Sequence, residues 1–255
     1  MIAGFESFRQ WFQGYEDQYA IIGGTACSLL MSDEGHEFRA TKDIDLVLII
    51  EALTPEFGKH FWEYVVAAGY RHRNKSTGEP QSYRFSQPEN QGYPWMIELF
   101  SRRLEAIDLT EDAVLTPLPI DDDVSSLSAI LLNDAYYDLL KSGRTTIGGL
   151  TVLDAGYLIL FKAKAWLDLV HRRKEGEQID SRQVKKHKND VFRLSELLSA
   201  DIRISIKGSV RQDMIAFINA MRVEAVDLTQ LGIKGRSQED ILKTFEEVYD
   251  LQTES

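Results

Sequence analysis

Tyr19-Ala20-Ile21-Ile22-Gly23-Gly24 and, beyond Arg39-Ala40-Thr41-Lys42, Asp43-Ile44-Asp45-Leu46-Val47-Leu48-Ile49-Ile50 are the stretches whose reading decides the fold. The first is an apolar strand that runs into a glycine pair. The second is a run of β-formers that opens on two aspartates. Residues i and i+2 of a strand face the same side, so Asp43 and Asp45 project together from a segment whose other residues favour burial. Two carboxylates that close repel, and a divalent cation between them is the simplest way to keep both ionised. A Gly-Gly turn after a strand lets backbone N–H groups come close to an anion such as phosphate.

Outward from this core, the pattern predicts a helix over 5–18, with Phe5, Phe8, Trp11, Phe12 and Tyr15 at helical spacing. Strands are expected over 19–22 and 43–50, with a short helix from Thr25 to Met31 between them. A helix over 55–68 carries Phe57, Phe61, Trp62 and Val65 on one face and stops at Gly69. Further strands are predicted over 70–73, 82–85 and 95–100, separated by Gly/Pro/Asn-rich turns. This order implies an α+β (or α/β) domain with a mixed sheet. From about Leu150 the chain reads as helical, with helices over 157–170, 184–198, 209–223 and 237–249 and a charged loop over 172–178. Gly143 and Gly148-Gly149 mark a turn there. The expected division is a domain over 1–150 and a helical domain over 151–255.

The bulk properties narrow the function. The 255 residues are 44% hydrophobic and carry a net charge of −11. No run reaches the roughly 18 apolar residues of a membrane span, and the N-terminus has no signal-peptide pattern. The one cysteine, Cys27, lies in an apolar stretch and reads as a small buried hydrophobe. A cytoplasmic location without membrane partners is expected. The negative charge opposes broad non-specific nucleic-acid binding. It does allow a local basic patch, for which 162–188 is the candidate; Asp121-Asp122-Asp123 is acidic. The five histidines lack metal-ligand spacing, and neither a Gly-x-Ser-x-Gly elbow nor a Walker loop occurs.

Two-metal phosphoryl chemistry needs a third carboxylate on an adjacent strand. Glu98, the lone charge in Trp95-Met96-Ile97-Glu98-Leu99-Phe100, is the candidate, because an unpaired carboxylate in an apolar strand is costly. The alternative is an outward-facing residue of an edge strand. Metal carboxylates beside a phosphate cradle are the parts of nucleotidyl transfer.

Gly23-Gly24-Thr25-Ala26, Arg39-x-Thr41-x-Asp43-Ile44-Asp45-Leu46 and Ile97-Glu98-Leu99 resemble the DNA polymerase β-type nucleotidyltransferase superfamily. More narrowly, the chain resembles the AbiEii-like branch, the toxin half of type IV toxin–antitoxin and abortive-infection systems. The resemblance implies a polymerase β-type catalytic domain with a mixed sheet, followed by an α-helical domain. It implies Mg²⁺ or Mn²⁺ at Asp43, Asp45 and Glu98, and an NTP held at Gly23, Gly24 and Thr25. Phe161-Lys162-Ala163-Lys164-Ala165 matches the first of the family's two helical motifs, and Lys186-His187-Lys188-Asn189-Asp190 approximates the second. They imply nucleotide contacts from Lys162 and Lys188, and Asp190 as a base or lysine-orienting residue; for Asp190 a helical salt bridge is the equal alternative. The chain departs from the family at Leu169, where an arginine is common, and at Arg193, where an aspartate is frequent. The acceptor implied is a hydroxyl, a tRNA 3′ end or other RNA, with a separate antitoxin regulator as partner. A small-molecule (antibiotic) acceptor, a protein acceptor, and a catalytically silent binding partner of the same fold remain open at this point.

Overall fold

The structure, a computed structural model, describes residues 4–39, 41–71, 84–101, 130–131, 133–199 and 201–251. Asp121–Asp123 and half of each of the strands expected over 70–73 and 82–85 lie outside them. The chain divides into two compact units, Met1–Pro119 with Arg144–Leu153, and Ile120–Gly143 with Asp154–Ser255.

The first unit is built on a six-stranded mixed sheet of order β3-β4-β2-β1-β6-β5. In chain order its elements are α1 (Phe5–Trp11), β1 (Tyr19–Ile22), α2 (Gly23–Asp33), β2 (Asp43–Leu48), α3 (Pro55–Ala68), β3 (Arg84–Ser86), β4 (Met96–Phe100), β5 (Arg144–Ile147) and β6 (Leu150–Leu153). Strand β1 runs antiparallel to β2 and parallel to β6. All four of its residues are buried, as a central strand of uniformly apolar sequence should be. Strand β2 alternates only at its start, where Asp43 and Asp45 are partly exposed and Ile44 is buried; from Leu46 onward it is buried throughout. Helix α3 has the predicted bounds. Thr54 caps it by accepting from Phe57 N at 3.2 Å, Pro55 opens it, and Gly69 closes it at φ 65°. Aromatic side chains lock α1 and α3 together, with Phe12 and Tyr64 rings 5.2 Å apart and Trp11 Nε1 donating to the His60 carbonyl at 3.1 Å.

Three sequence expectations are corrected here. The opening helix ends at Trp11, because Gly14 takes a left-handed turn at φ 91° that a helix cannot accommodate. Strand β2 stops at Leu48, short of Ile50. The chain does not become helical at Leu150 but first forms β6, and Gly148-Gly149 makes the turn that the sequence marks. Its two positive φ values, 56° and 82°, form the two-residue turn of the β5–β6 hairpin, with Ile147 paired to Leu150. The hairpin returns to the sheet beside β1, with Ile21 opposite Val152.

The second unit is helical: α4 (Asp134–Ser142), α5 (Ala155–Lys174), α6 (Ser181–Leu194) with a 3₁₀ turn at Ser195–Leu197, α7 (Gly208–Val223) and α8 (Gln238–Val248). Side-chain caps set the starts. Asp154 accepts from Gly156 N, Asp180 from Arg182 N, and Ser237 and Asp240 form a reciprocal capping box. Sequence reading missed α4, and it ended α5 too early. Arg172 and Arg173 belong to the last turn of α5, where cations complement the helix dipole. T-shaped pairs, Tyr136–Phe161 at 5.3 Å and Trp166–Phe217 at 5.5 Å, tie α4 and α7 to α5. Tyr249, fully buried, donates to the Gly156 carbonyl at 2.6 Å.

Candidate active site

Parallel pairing of β2 with β4 sets Asp45 opposite Glu98 and Asp43 opposite Met96. Antiparallel pairing of β3 with β4 sets Arg84 opposite Glu98, and β1 places Ile22 opposite Asp45. Directly paired residues face the same side of a sheet. Arg84, Glu98 and Asp45 therefore form one row across three strands, with Asp43 on the same face one step along β2. Glu98 is 9% exposed. Its Oε1 accepts from Arg84 Nε at 2.7 Å and lies 2.6 Å from Arg84 Nη2.

The glycine pair bears directly on this row. Gly23 has φ 70°, and a Cβ built there would overlap the Asp45 carboxylate. A Cβ at Gly24 would come within 2.9 Å of Arg39 Nη2. Side chains of Asp45 and Arg39 thus lie over the N-terminal turn of α2, whose partial positive charge favours a carboxylate. Helix α2 has no side-chain cap at its start. Gly23→Ala is expected to lower stability by about 1–2 kcal/mol from the left-handed backbone alone, and more as the added methyl displaces Asp45. A urea denaturation series against wild type reads this.

Thr25 is completely buried. Its hydroxyl donates to the Asp43 carbonyl at 2.5 Å and lies 3.2 Å from Thr41 Oγ1. It ties α2 to the start of β2, so the hydroxyl is already committed within the fold.

Asp43 and Asp45 offer partly exposed hard oxygen donors on one face, a set that suits a divalent cation. Among the described residues no group of three or more His, Cys, Asp or Glu is gathered tightly enough to hold a metal. A two-carboxylate platform nonetheless fits Mg²⁺, which keeps several waters and completes its shell with substrate phosphates. Glu98, the third carboxylate expected from sequence, stands beside Asp45 in the sheet with its Oε1 engaged by the Arg84 guanidinium.

The remaining predicted residues lie in the second unit. Lys162 on α5 and Asp190 on α6 form an ion pair, Nζ to Oδ2 3.2 Å, with side chains 6% and 0% exposed. Arg193 Nη1 lies 3.9 Å from the other Asp190 oxygen, the helical contact the sequence allowed. Lys188 pairs with Glu224 at the end of α7. Lys164 sits 3.3 Å from both Asp168 and Asp213, and Tyr136 donates to Asp213 at 3.0 Å. Burial pushes Asp168 above the ordinary carboxylate range despite Lys164 beside it. Burial works against the Lys164 charge, but the two carboxylates outweigh it and raise Lys164.

Sequence reading missed Arg84 as a site residue and gave Arg39 no role beyond the motif. The Arg84 signal was present as Arg84-Phe85-Ser86 alternating in phase with Glu98. It becomes visible only once β3 and β4 are known to pair.

No family model matches the chain, and no curated protein does. Among solved structures, an antigenic nucleotidyltransferase-like protein from Paracoccidioides brasiliensis is similar, with a TM-score of 0.51 over 96% of this chain and 94% of that one, at 16% identity. The likeness is one of fold. This chain has a nucleotidyltransferase-like α/β fold with a mixed sheet.

Proposed function

We propose that the chain is a metal-dependent nucleotidyltransferase that moves an NMP from an NTP to an acceptor hydroxyl. The observation that carries the reading is the placement of Asp43 and Asp45 on one face of β2. Asp45 lies in register with Glu98 and against Gly23 at the start of α2, and Asp43 shares its face two residues earlier on the strand. Asp43 and Asp45 would hold Mg²⁺ or Mn²⁺; the cation would neutralise the triphosphate and acidify the attacking hydroxyl. The N–H groups of Gly23 and Gly24, with Arg39, bind phosphate oxygens. Thr25 contributes through its backbone, its hydroxyl being engaged by Asp43. Glu98 orients the acceptor hydroxyl or takes its proton.

The finer parts of the proposal rest on the AbiEii-like resemblance. They are an RNA acceptor, in the first instance a tRNA 3′ end, and a toxin role with a separate antitoxin regulator. A cytoplasmic location and triphosphate contacts from Lys162 and Lys188 belong with them. Both lysines are engaged within their own unit, so the phosphate role goes first to Gly23, Gly24 and Arg39. The ion pair between Arg84 and Glu98 favours a second reading, a silent fold acting as a binding partner.

Incubation with each α-labelled NTP, Mg²⁺ or Mn²⁺, and total RNA or cell lysate separates the two. Label entering RNA of tRNA size is the expected result. Label in no macromolecule or small molecule, with no metal-dependent NTP binding by calorimetry, rejects the enzyme.

A further inference from the structure

We propose that Arg84 is a positioning residue that fixes Glu98 so that it presents a single oxygen, Oε2, to the face carrying Asp43 and Asp45. The inference rests on the nucleotidyl-transfer reading and assigns a role that reading leaves open.

The geometry differs from an ordinary arginine–carboxylate pair. A guanidinium fork commonly takes both carboxylate oxygens through two parallel N–H···O bonds. Here Nε at 2.7 Å and Nη2 at 2.6 Å both converge on Oε1. Among the described residues Oε2 has no protein hydrogen bond. The pair is also shielded, with side chains 25% and 12% exposed, where a charge-assisted bond is stronger than in water.

Charge explains why an arginine belongs there. Asp45 and Glu98 are direct cross-strand partners, about 5 Å apart on strands of ordinary spacing, and like charges so placed repel. Arg84, opposite Glu98 on the far side of the row, offsets that repulsion without standing between the two carboxylates. It also settles which oxygen is offered. With Oε1 held, Glu98 acts through one oxygen, either as a monodentate ligand or as the acceptor of a hydroxyl proton.

Two measurements on the full chain test this. Mn²⁺ binding is followed by loss of the free-ion paramagnetic resonance signal in wild type, Arg84→Lys, Arg84→Gln and Glu98→Gln. The kcat and KM for labelled NTP are measured in the same set. Arg84→Gln is expected to weaken Mn²⁺ binding and lower kcat by about 10–100-fold, the usual cost of losing a residue that orients a metal-site ligand, with KM for the NTP unchanged. Arg84→Lys should recover part of both. Guanidinium ion added in solution should restore part of the rate to Arg84→Ala and none to Glu98→Gln. Wild-type affinity and kcat in Arg84→Gln overturn the proposal. So does tighter Mn²⁺ binding in that variant, which marks Arg84 as a competing cation. A loss that neither lysine nor guanidinium restores assigns Arg84 a purely structural role and overturns it as well. Failure of the underlying reading looks different: the wild-type chain itself binds no Mn²⁺ and transfers no label, which removes both.

Discussion

Asp45→Asn is expected to reduce nucleotidyl transfer on the order of a thousandfold, about 4 kcal/mol of transition-state stabilisation, with the chain still folded. Asparagine has nearly the same shape, so it still fills the space over Gly23 that Asp45 occupies. What it removes is the anionic oxygen that a hard cation requires. Asp43→Asn should behave alike, since both aspartates share the face of β2 and neither is replaced by another carboxylate on that strand. The measurement is single-turnover transfer of α-label in saturating Mg²⁺, with circular dichroism as the check on folding. Mn²⁺ should raise the Tm of wild type and of neither variant, because a ligand that binds only the native state stabilises it by mass action. Folded variants that keep transfer within tenfold of wild type would exclude the two aspartates from the chemistry.

The second large effect concerns the helical unit. Asp190→Leu is expected to destabilise the chain by about 3–5 kcal/mol, because it leaves the Lys162 ammonium buried without its carboxylate. Lys162→Met should cost less, because Arg193 stays 3.9 Å from Asp190. The double variant Lys162→Met/Asp190→Leu should recover most of the loss, since a buried ion pair is often replaceable by apolar residues of similar volume. Urea unfolding monitored by Trp fluorescence reads all three. Transfer by the double variant then separates packing from chemistry. If Lys162 contacts the triphosphate as the resemblance implies, stability returns and activity does not. If both return, the pair serves the fold alone.

Much of the sheet was legible because its signals are local. Alternation in Asp43-Ile44-Asp45 and the uniform apolarity of Tyr19–Ile22 follow from a period of two and from burial on both faces. Thr54-Pro55 and Gly69 framed α3 because caps act within a turn of the helix end. The misses have equally physical causes. The β5–β6 hairpin was missed because the turn at Gly148-Gly149 has the same local signature whether a helix or a returning strand follows it. The difference lies in Val152 finding Ile21, a partner far away in sequence. Helix α4 is only nine residues long, so its amphipathic pattern was overlooked, although Tyr136, Tyr137 and Leu140 are all buried.

By itself the sequence determined that two aspartates would stand together at the start of a buried strand, after a strand that ends in two glycines. Period and propensity are properties of neighbouring residues, and they need no partner to take effect. Only the tertiary structure decided what surrounds those aspartates. Strand order puts Glu98 beside Asp45 and Arg84 beside Glu98. Backbone sterics make the glycines the room in which Asp45 and Arg39 lie. Helix packing sets Lys162, which the resemblance assigns to a nucleotide, against Asp190, for which orienting a lysine was one expectation. Register and packing join residues through space, and a charge is steered by whichever opposite charge the fold brings within reach.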